Sequence, residues 1–283
     1  MQIRNIFVVG AGQMGSGIAQ VGSQAGCKVC LHDVADAPLR RGINNIIRNL
    51  DHAISKGKIT EVEREEILYR IDTSSSLEQA QEADFIIEAA TESMAIKENI
   101  FSRLNTICPP HTIFATNTSS LPITEIAAIT DRPDKVIGMH FMNPVPVMQL
   151  VEIISGHLTT KEIIDITREL AVRMGKTPVV VNDYPGFVSN RILMPMINEA
   201  IYCVYEGIAS PEGVDQIAKL GLNHPMGPLA LADLIGLDTC LAIMEVLYKG
   251  FGDPKYHPCP LLRRYVKSGL LGRKTGRGFY QYN

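Results

Sequence analysis

Residues 6 to 15 read IFVVGAGQMG. Four apolar residues, three of them β-branched, suit a buried strand. Gly10, Gly12 and Gly15 follow in the GxGxxG spacing, and a helical pattern opens at Gln13. Glycines alone serve ordinary turns, so the spacing gains its meaning from the order strand, turn, helix. Gly10 allows the tight turn, Gly12 leaves the backbone bare where a pyrophosphate approaches, and Gly15 lets helix and strand pack closely, with the helix N-terminus facing the phosphate charge. The next apolar stretch, KVCLHD (28 to 33), ends on Asp33, 18 residues past Gly15, where a carboxylate accepts hydrogen bonds from a ribose diol. A 2′-phosphate would be repelled there, and Val34 supplies no compensating arginine. The expected cofactor is NAD rather than NADP.

The same texture continues. Strand-like runs occupy 84 to 89, 112 to 116, 135 to 141 and 148 to 154, several apolar on both faces as in a buried parallel sheet. Helical spacing marks 13 to 25, 95 to 107 and the row Leu39, Ile43, Ile46, Ile47, Leu50 and Ile54. The alternation predicts βαβ units and a Rossmann-like, doubly wound, mostly parallel sheet in an α/β chain. After TPVVVN (177 to 182), Pro185-Gly186 breaks the chain, and helical patterns cover 187 to 205, 211 to 220, 229 to 248 and 260 to 267. The expected domains are therefore 1 to 184, binding the dinucleotide, and an all-helical 185 to 283.

Composition removes other classes. The 283 residues are 46% hydrophobic and 20% charged with net charge -3, which invites no nucleic acid. No secretory leader pattern opens the chain and no apolar run reaches the roughly 18 residues of a membrane span. The six cysteines are scattered without a second pair to complete a zinc site, so reduced thiols, no metal and a cytoplasmic location are expected.

A second constellation gathers further along. NTSSLPITE (117 to 125) follows a strand, which puts Asn117 and Ser119 at the sheet edge where ligands bind. In GMHFMNP (138 to 144), His140 ends the next strand. Glu152 lies within QLVEII (149 to 154), and buried carboxylates are rare unless paired. The intervening NPVPV offers a turn that would fold the second strand back beside the first and bring Glu152 to the imidazole. The alternative is an outward-pointing carboxylate on an edge strand. Lys97, by its pattern alone, is a solvated lysine on a helix, and GRKTGRG (272 to 278) is a basic turn without P-loop spacing. His224 either caps a turn or lines a substrate channel. Met194, Ile197, Ile201 and Val204 read as core or subunit interface.

VVGAGQMGSGIAQ, IEAATESMAIKENIF, TNTSSLPITEIA, GMHFMNPVPVMQLVEII, PGFVSNRI, LGLNHPMGPLALADLIGLD and GRKTGRGFYQY resemble, in this order and nearly end to end, the motifs of the L-3-hydroxyacyl-CoA dehydrogenase family. Within it, the compact bacterial type acting on 3-hydroxybutyryl-CoA is most similar. The resemblance implies NAD-dependent interconversion of (S)-3-hydroxyacyl-CoA and 3-oxoacyl-CoA, with His140 and Glu152 as the acid/base pair and Ser119 and Asn190 on the substrate oxygen and the histidine. It further implies cofactor contacts from Glu92, Lys97, Asn117 and Asn143 beside those of Asp33 and the glycines, coenzyme A phosphates near Lys56 and Lys58, an acyl-CoA partner such as acetoacetyl-CoA, a homodimer, and an active site in the cleft between domains. Two positions depart from the pattern: Met142 replaces a more usual aromatic residue, and His52 stands where relatives can carry lysine.

Two other classes compete. A non-catalytic NAD-binding structural protein would not need His140, Glu152, Ser119 and Asn190 together. A β-hydroxyacid dehydrogenase acting on a free acid relies on a lysine base in its helical domain, where this chain offers Asn190 and Arg191.

Overall fold

Asn5–Val9 forms β1, its last four side chains fully buried, and the chain turns through the glycines into α1, Gln13–Gln24. In this computed structural model, which describes residues 2 to 282, the chain divides into two compact units, Met1–Asp183 and Tyr184–Asn283. The first continues through β2 (Lys28–His32), α2 (Asp36–Ser55), α3 (Glu61–Tyr69), β3 (Ile71–Ser74), β4 (Phe85–Glu88), α4 (Met94–Ile107), β5 (Ile113–Thr116), α5 (Ile123–Ala127), β6 (Val136–Phe141), β7 (Leu150–Ser155), α6 (Lys161–Arg173) and β8 (Thr177–Asn182).

The eight strands lie in the order β3-β2-β1-β4-β5-β6-β7-β8. Six run parallel, β7 pairs antiparallel with β6, and β8 is parallel to β7. This is the doubly wound α/β plan. Strand order reverses between β1 and β4, so a crevice opens beyond their C-terminal ends, the place where such sheets take ligands. Burial follows from the chemistry: β4, β5 and β6 are buried at every position, as continuous apolar strands covered on both faces must be.

Four elements lie outside the sequence reading, one of them the five-residue α5. α3 carries a full capping box, Thr60 with Glu63, but buries only Ile67, so its apolar stripe is too thin to stand out. β3 is a four-residue edge strand of mostly polar character. α6 is amphipathic and buries Ile163, Ile166 and Leu170.

The second unit is helical: α7 (Ser189–Tyr205), α8 (Pro211–Gly221), α9 (Pro228–Ile235), α10 (Leu237–Phe251) and α11 (Pro260–Lys267). The helix expected over 229 to 248 is two helices, because Gly236 at φ +103° breaks the ladder. The one expected from 187 begins at Ser189, since Phe187 has φ +50°. Met194, Ile197 and Ile201 belong to this unit's own core, together with Leu229, Leu237 and Leu247.

Candidate active site

The glycine turn fits its ligand by an internal contrast. A Cβ on Gly10 would fall 2.6 Å from the Ala89 carbonyl oxygen, and one on Gly15 would fall 1.7 Å from that of Gly10, so both glycines are demanded by packing. A Cβ on Gly12 would meet nothing within 4 Å. The protein's own packing gives no reason for that glycine, while a closely approaching phosphate does. α1 has no side-chain cap and no acidic residue in its first turn, which leaves its N-terminal amides and positive dipole end to an anion.

Asp33, at the end of β2, accepts the Ala11 amide on Oδ2 at 2.9 Å, so the ribose candidate also braces the turn. Gln13 donates to Asn143 Oδ1 at 3.0 Å, joining the turn to the loop after β6. A cavity of about 510 Å³ opens beside the turn, lined by Gly12, Gln13, Arg41, Asn45 and Arg48 among others. The two α2 arginines give it positive charge, and the sequence reading did not single them out.

His140 and Glu152 stand directly opposite each other in the antiparallel register of β6 and β7. Opposed residues share a face, so the pairing follows from the register. Nδ1 of His140 lies 2.8 Å from Glu152 Oε2, with 8% and 3% of the two residues exposed. Nδ1 donates to the carboxylate, which leaves Nε2 as the basic nitrogen. Of the two orientations open to Glu152, the structure takes the inward one. Lys176 braces the hairpin loop, donating to the carbonyls of Val145 at 2.5 Å and Met148 at 2.9 Å, and burial pushes its ammonium below the usual lysine range.

Asn117 follows β5 and accepts the Phe141 amide at 2.9 Å, fixing the backbone next to His140. Beyond it, Glu92 gathers the NTSS loop. Its Oε1 accepts the Thr118 hydroxyl at 2.6 Å, the Ser119 amide at 2.9 Å and hydroxyl at 3.2 Å, and the Ser120 amide at 3.1 Å and hydroxyl at 3.2 Å.

Lys97 corrects the reading of its pattern: it is a fully buried lysine, not a solvated one. Its ammonium meets both oxygens of Glu88, at 2.8 and 2.7 Å, and stands 3.7 Å from Glu92 Oε2. α4 buries that face against the sheet, and a charge there demands a partner. Glu88 was missed, although the signal applied to Glu152, a carboxylate inside an apolar strand, is equally present in DFIIEA.

Lys56 and Lys58 are exposed just beyond the end of α2, and Asn190 lies buried in the first turn of α7 in the second unit. In GRKTGRG, Lys274 is paired with Asp238 at 2.6 Å. Among the described residues no cluster of His, Cys, Asp or Glu could hold a metal, and no helix is long and apolar enough to cross a membrane.

Residues 5–184 match the family model "3-hydroxyacyl-CoA dehydrogenase, NAD binding domain", and residues 186–282 match "3-hydroxyacyl-CoA dehydrogenase, C-terminal domain". The chain belongs to the 3-hydroxyacyl-CoA dehydrogenase family. Among members of that family, it is 61% identical over 282 residues to a probable 3-hydroxybutyryl-CoA dehydrogenase of Bacillus subtilis, covering 100% of this chain and 98% of the other. It is 50% identical over 280 residues to the 3-hydroxybutyryl-CoA dehydrogenase of Bradyrhizobium diazoefficiens, covering 99% and 96%. The crystal structure of (S)-3-hydroxybutyryl-CoA dehydrogenase PaaH1 from Ralstonia eutropha superposes with a TM-score of 0.97 at 50% identity, each chain covered in full. The cofactor of this 3-hydroxyacyl-CoA dehydrogenase family member is NAD.

Proposed function

We propose that this enzyme interconverts (S)-3-hydroxybutyryl-CoA and acetoacetyl-CoA with NAD, and that His140 carries the proton. The observation that carries the mechanism is the His140 to Glu152 hydrogen bond at 2.8 Å, in one sheet with the glycine turn.

NAD, which the glycine turn and Asp33 would hold, would supply the hydride acceptor for the substrate carbon. Neutral His140 takes the hydroxyl proton on Nε2 during oxidation and returns it during reduction. Glu152 holds the tautomer with the proton on Nδ1 and stabilises the imidazolium once the second proton arrives. Ser119, on the loop that Glu92 braces, donates to the C3 oxygen, and Asn190 is assigned to the same oxygen and the histidine on the strength of its PGFVSNR motif. Asp33 receives the adenosine ribose. Asn117 and Asn143 belong to the cofactor wall, and Glu92 and Lys97 stand behind it, supporting the NTSS loop. Lys56 and Lys58 are assigned to the coenzyme A phosphates.

The reading extends to a cytoplasmic homodimer. Its support is apolar surface on the second unit: α8 exposes Ile217 and Leu220, with Ile208 and Leu222 on either side. Exposed apolar surface of this kind marks association sites. Sedimentation equilibrium giving a monomer at micromolar concentration would reject the dimer.

The test of the activity follows NADH absorbance with acetoacetyl-CoA and, separately, with free acetoacetate. The expected outcome is turnover of the thioester alone. Preference for the free acid would overturn the substrate assignment.

A further inference from the structure

Glu88 and Lys97 have no step in the reaction, yet they form a fully buried ion pair at the foot of the site. Burying two charges is costly, and a purely apolar contact would often serve stability as well. Their placement points to a use. Glu88 ends β4, with Oε1 accepting the Ala90 amide at 2.7 Å and Oε2 accepting the Thr116 hydroxyl at 2.6 Å. Both oxygens also hold the Lys97 ammonium. That ammonium is thereby fixed 3.7 Å from Glu92 Oε2, and Glu92 Oε1 is the acceptor on which Thr118, Ser119 and Ser120 converge.

We propose that Glu88 is a positioning residue for the reaction: with Lys97 it forms a buried charge relay that aims Glu92, and Glu92 in turn sets Ser119 against the substrate oxygen. The Ser119 amide, at 2.9 Å, keeps the loop on Glu92, while the hydroxyl, at the longer 3.2 Å, is the group that turns to the substrate. On this view Lys97 acts through Glu92 rather than by touching NAD. The inference rests on the reading of Ser119 as a substrate contact.

Removing Glu88's charge leaves Lys97 one carboxylate to attract, and Glu92 is drawn off its loop. Glu88→Gln should therefore lower kcat/KM for acetoacetyl-CoA by about 10- to 100-fold, the usual effect of losing a group that orients a substrate contact, with the NADH dissociation constant little changed. The deciding variant is the double Glu88→Gln/Lys97→Met. It removes both buried charges at similar volume, so the melting temperature should return to or above the wild-type value. The expected result is recovered stability with kcat/KM still depressed. Wild-type kcat/KM in a stable double variant would overturn the proposal, leaving the pair a structural feature only. NADH affinity falling in proportion to kcat/KM would also overturn it, making Lys97 a direct cofactor ligand. If the double variant does not fold, Thr116→Val decides: it keeps both charges and loses one hydrogen bond to Glu88, and kcat/KM should drop about 3- to 10-fold at unchanged NADH affinity. An unaltered kcat/KM there refutes the relay. Ser119→Ala, measured alongside, separates the two levels. Full activity in Ser119→Ala defeats the reading of Ser119 itself, whereas a slow Ser119→Ala beside an unimpaired double variant defeats the relay alone.

Discussion

The two units hold their buried carboxylates in different ways. In the first, each buried carboxylate meets a basic side chain, Glu88 with Lys97 and Glu152 with His140, while the buried cations Lys176 and Arg132 are held by backbone carbonyls. In the second, buried polar side chains meet mainly backbone. Asp215 accepts the Leu229 and Ala230 amides at the start of α9, Asp233 accepts those of Phe279 and Tyr280, and Asn198 is bonded to the backbone of His257 and Cys259. Tyrosine hydroxyls complete the two aspartate sites. A carboxylate held by amides caps a helix or clasps a tail and has no reason to change its charge. A carboxylate held by an imidazole shares a site whose charge changes each time a proton moves. The first unit is thus built to tolerate a change of charge in its interior, and the second to keep its helices and C-terminal tail together.

The largest expected effect sharpens that contrast at the histidine. His140→Gln should lower kcat by about 10²- to 10⁴-fold, the usual worth of a positioned acid/base group, while NADH titration gives a nearly unchanged dissociation constant because the glycine turn and Asp33 hold the dinucleotide. Near-normal turnover would return His140 to an ordinary core residue.

Asp233→Ala should show the reverse pattern. Three donors, the amides of Phe279 and Tyr280 and the Tyr282 hydroxyl, lose their acceptor. The loss of stability should be about 3 to 5 kcal/mol by urea unfolding, with kcat of the folded fraction preserved. A variant of normal stability would show that the C-terminal clasp contributes little.

Asp33→Ala should be milder than either. Loss of its carboxylate should weaken NADH by about 10- to 100-fold and narrow the preference over NADPH, as read from steady-state KM values for both cofactors. Equal use of the two by the unaltered enzyme would remove Asp33 from the ribose.

Proton transfer through His140 has its own signature. Hydroxyacyl-CoA oxidation needs the imidazole neutral and ketoacyl-CoA reduction needs it protonated, so oxidation should rise with pH where reduction falls. Parallel profiles in the two directions would send the proton by another route.

The smallest effect tests the apolar character of the second unit. Burial pushes the Cys240 thiol up to about 12. The unfolded chain ionises near the ordinary thiol value of about 8.5. Between these values the unfolded state binds fewer protons than the folded one, so this contribution to stability is complete below about pH 8.5 and declines as pH rises towards 12. Melting temperatures above pH 8.5 should therefore fall more gently in Cys240→Ala than in the wild type, and equal slopes would mean that the thiol is reachable by solvent.

Much of the molecule is legible in the order of its residues. Strand, glycine turn and helix form within a few residues of one another, so the spacing of Gly10, Gly12 and Gly15 and the carboxylate of Asp33 carry the cofactor fold in local form. The apolar strand runs carry the sheet for the same reason, and a carboxylate inside such a run announces that it needs a partner. Local pattern does not name the partner. Glu152 meets His140 because of the register of β6 on β7, and a slip of one residue would turn its side chain to the other face. Lys97 reads as a solvated lysine until α4 packs on the sheet and closes it over Glu88 and beside Glu92. Burial and register depend on which distant segments come together, so the sequence alone determined the fold class and which residue types could act, while the tertiary structure decided which charges face each other.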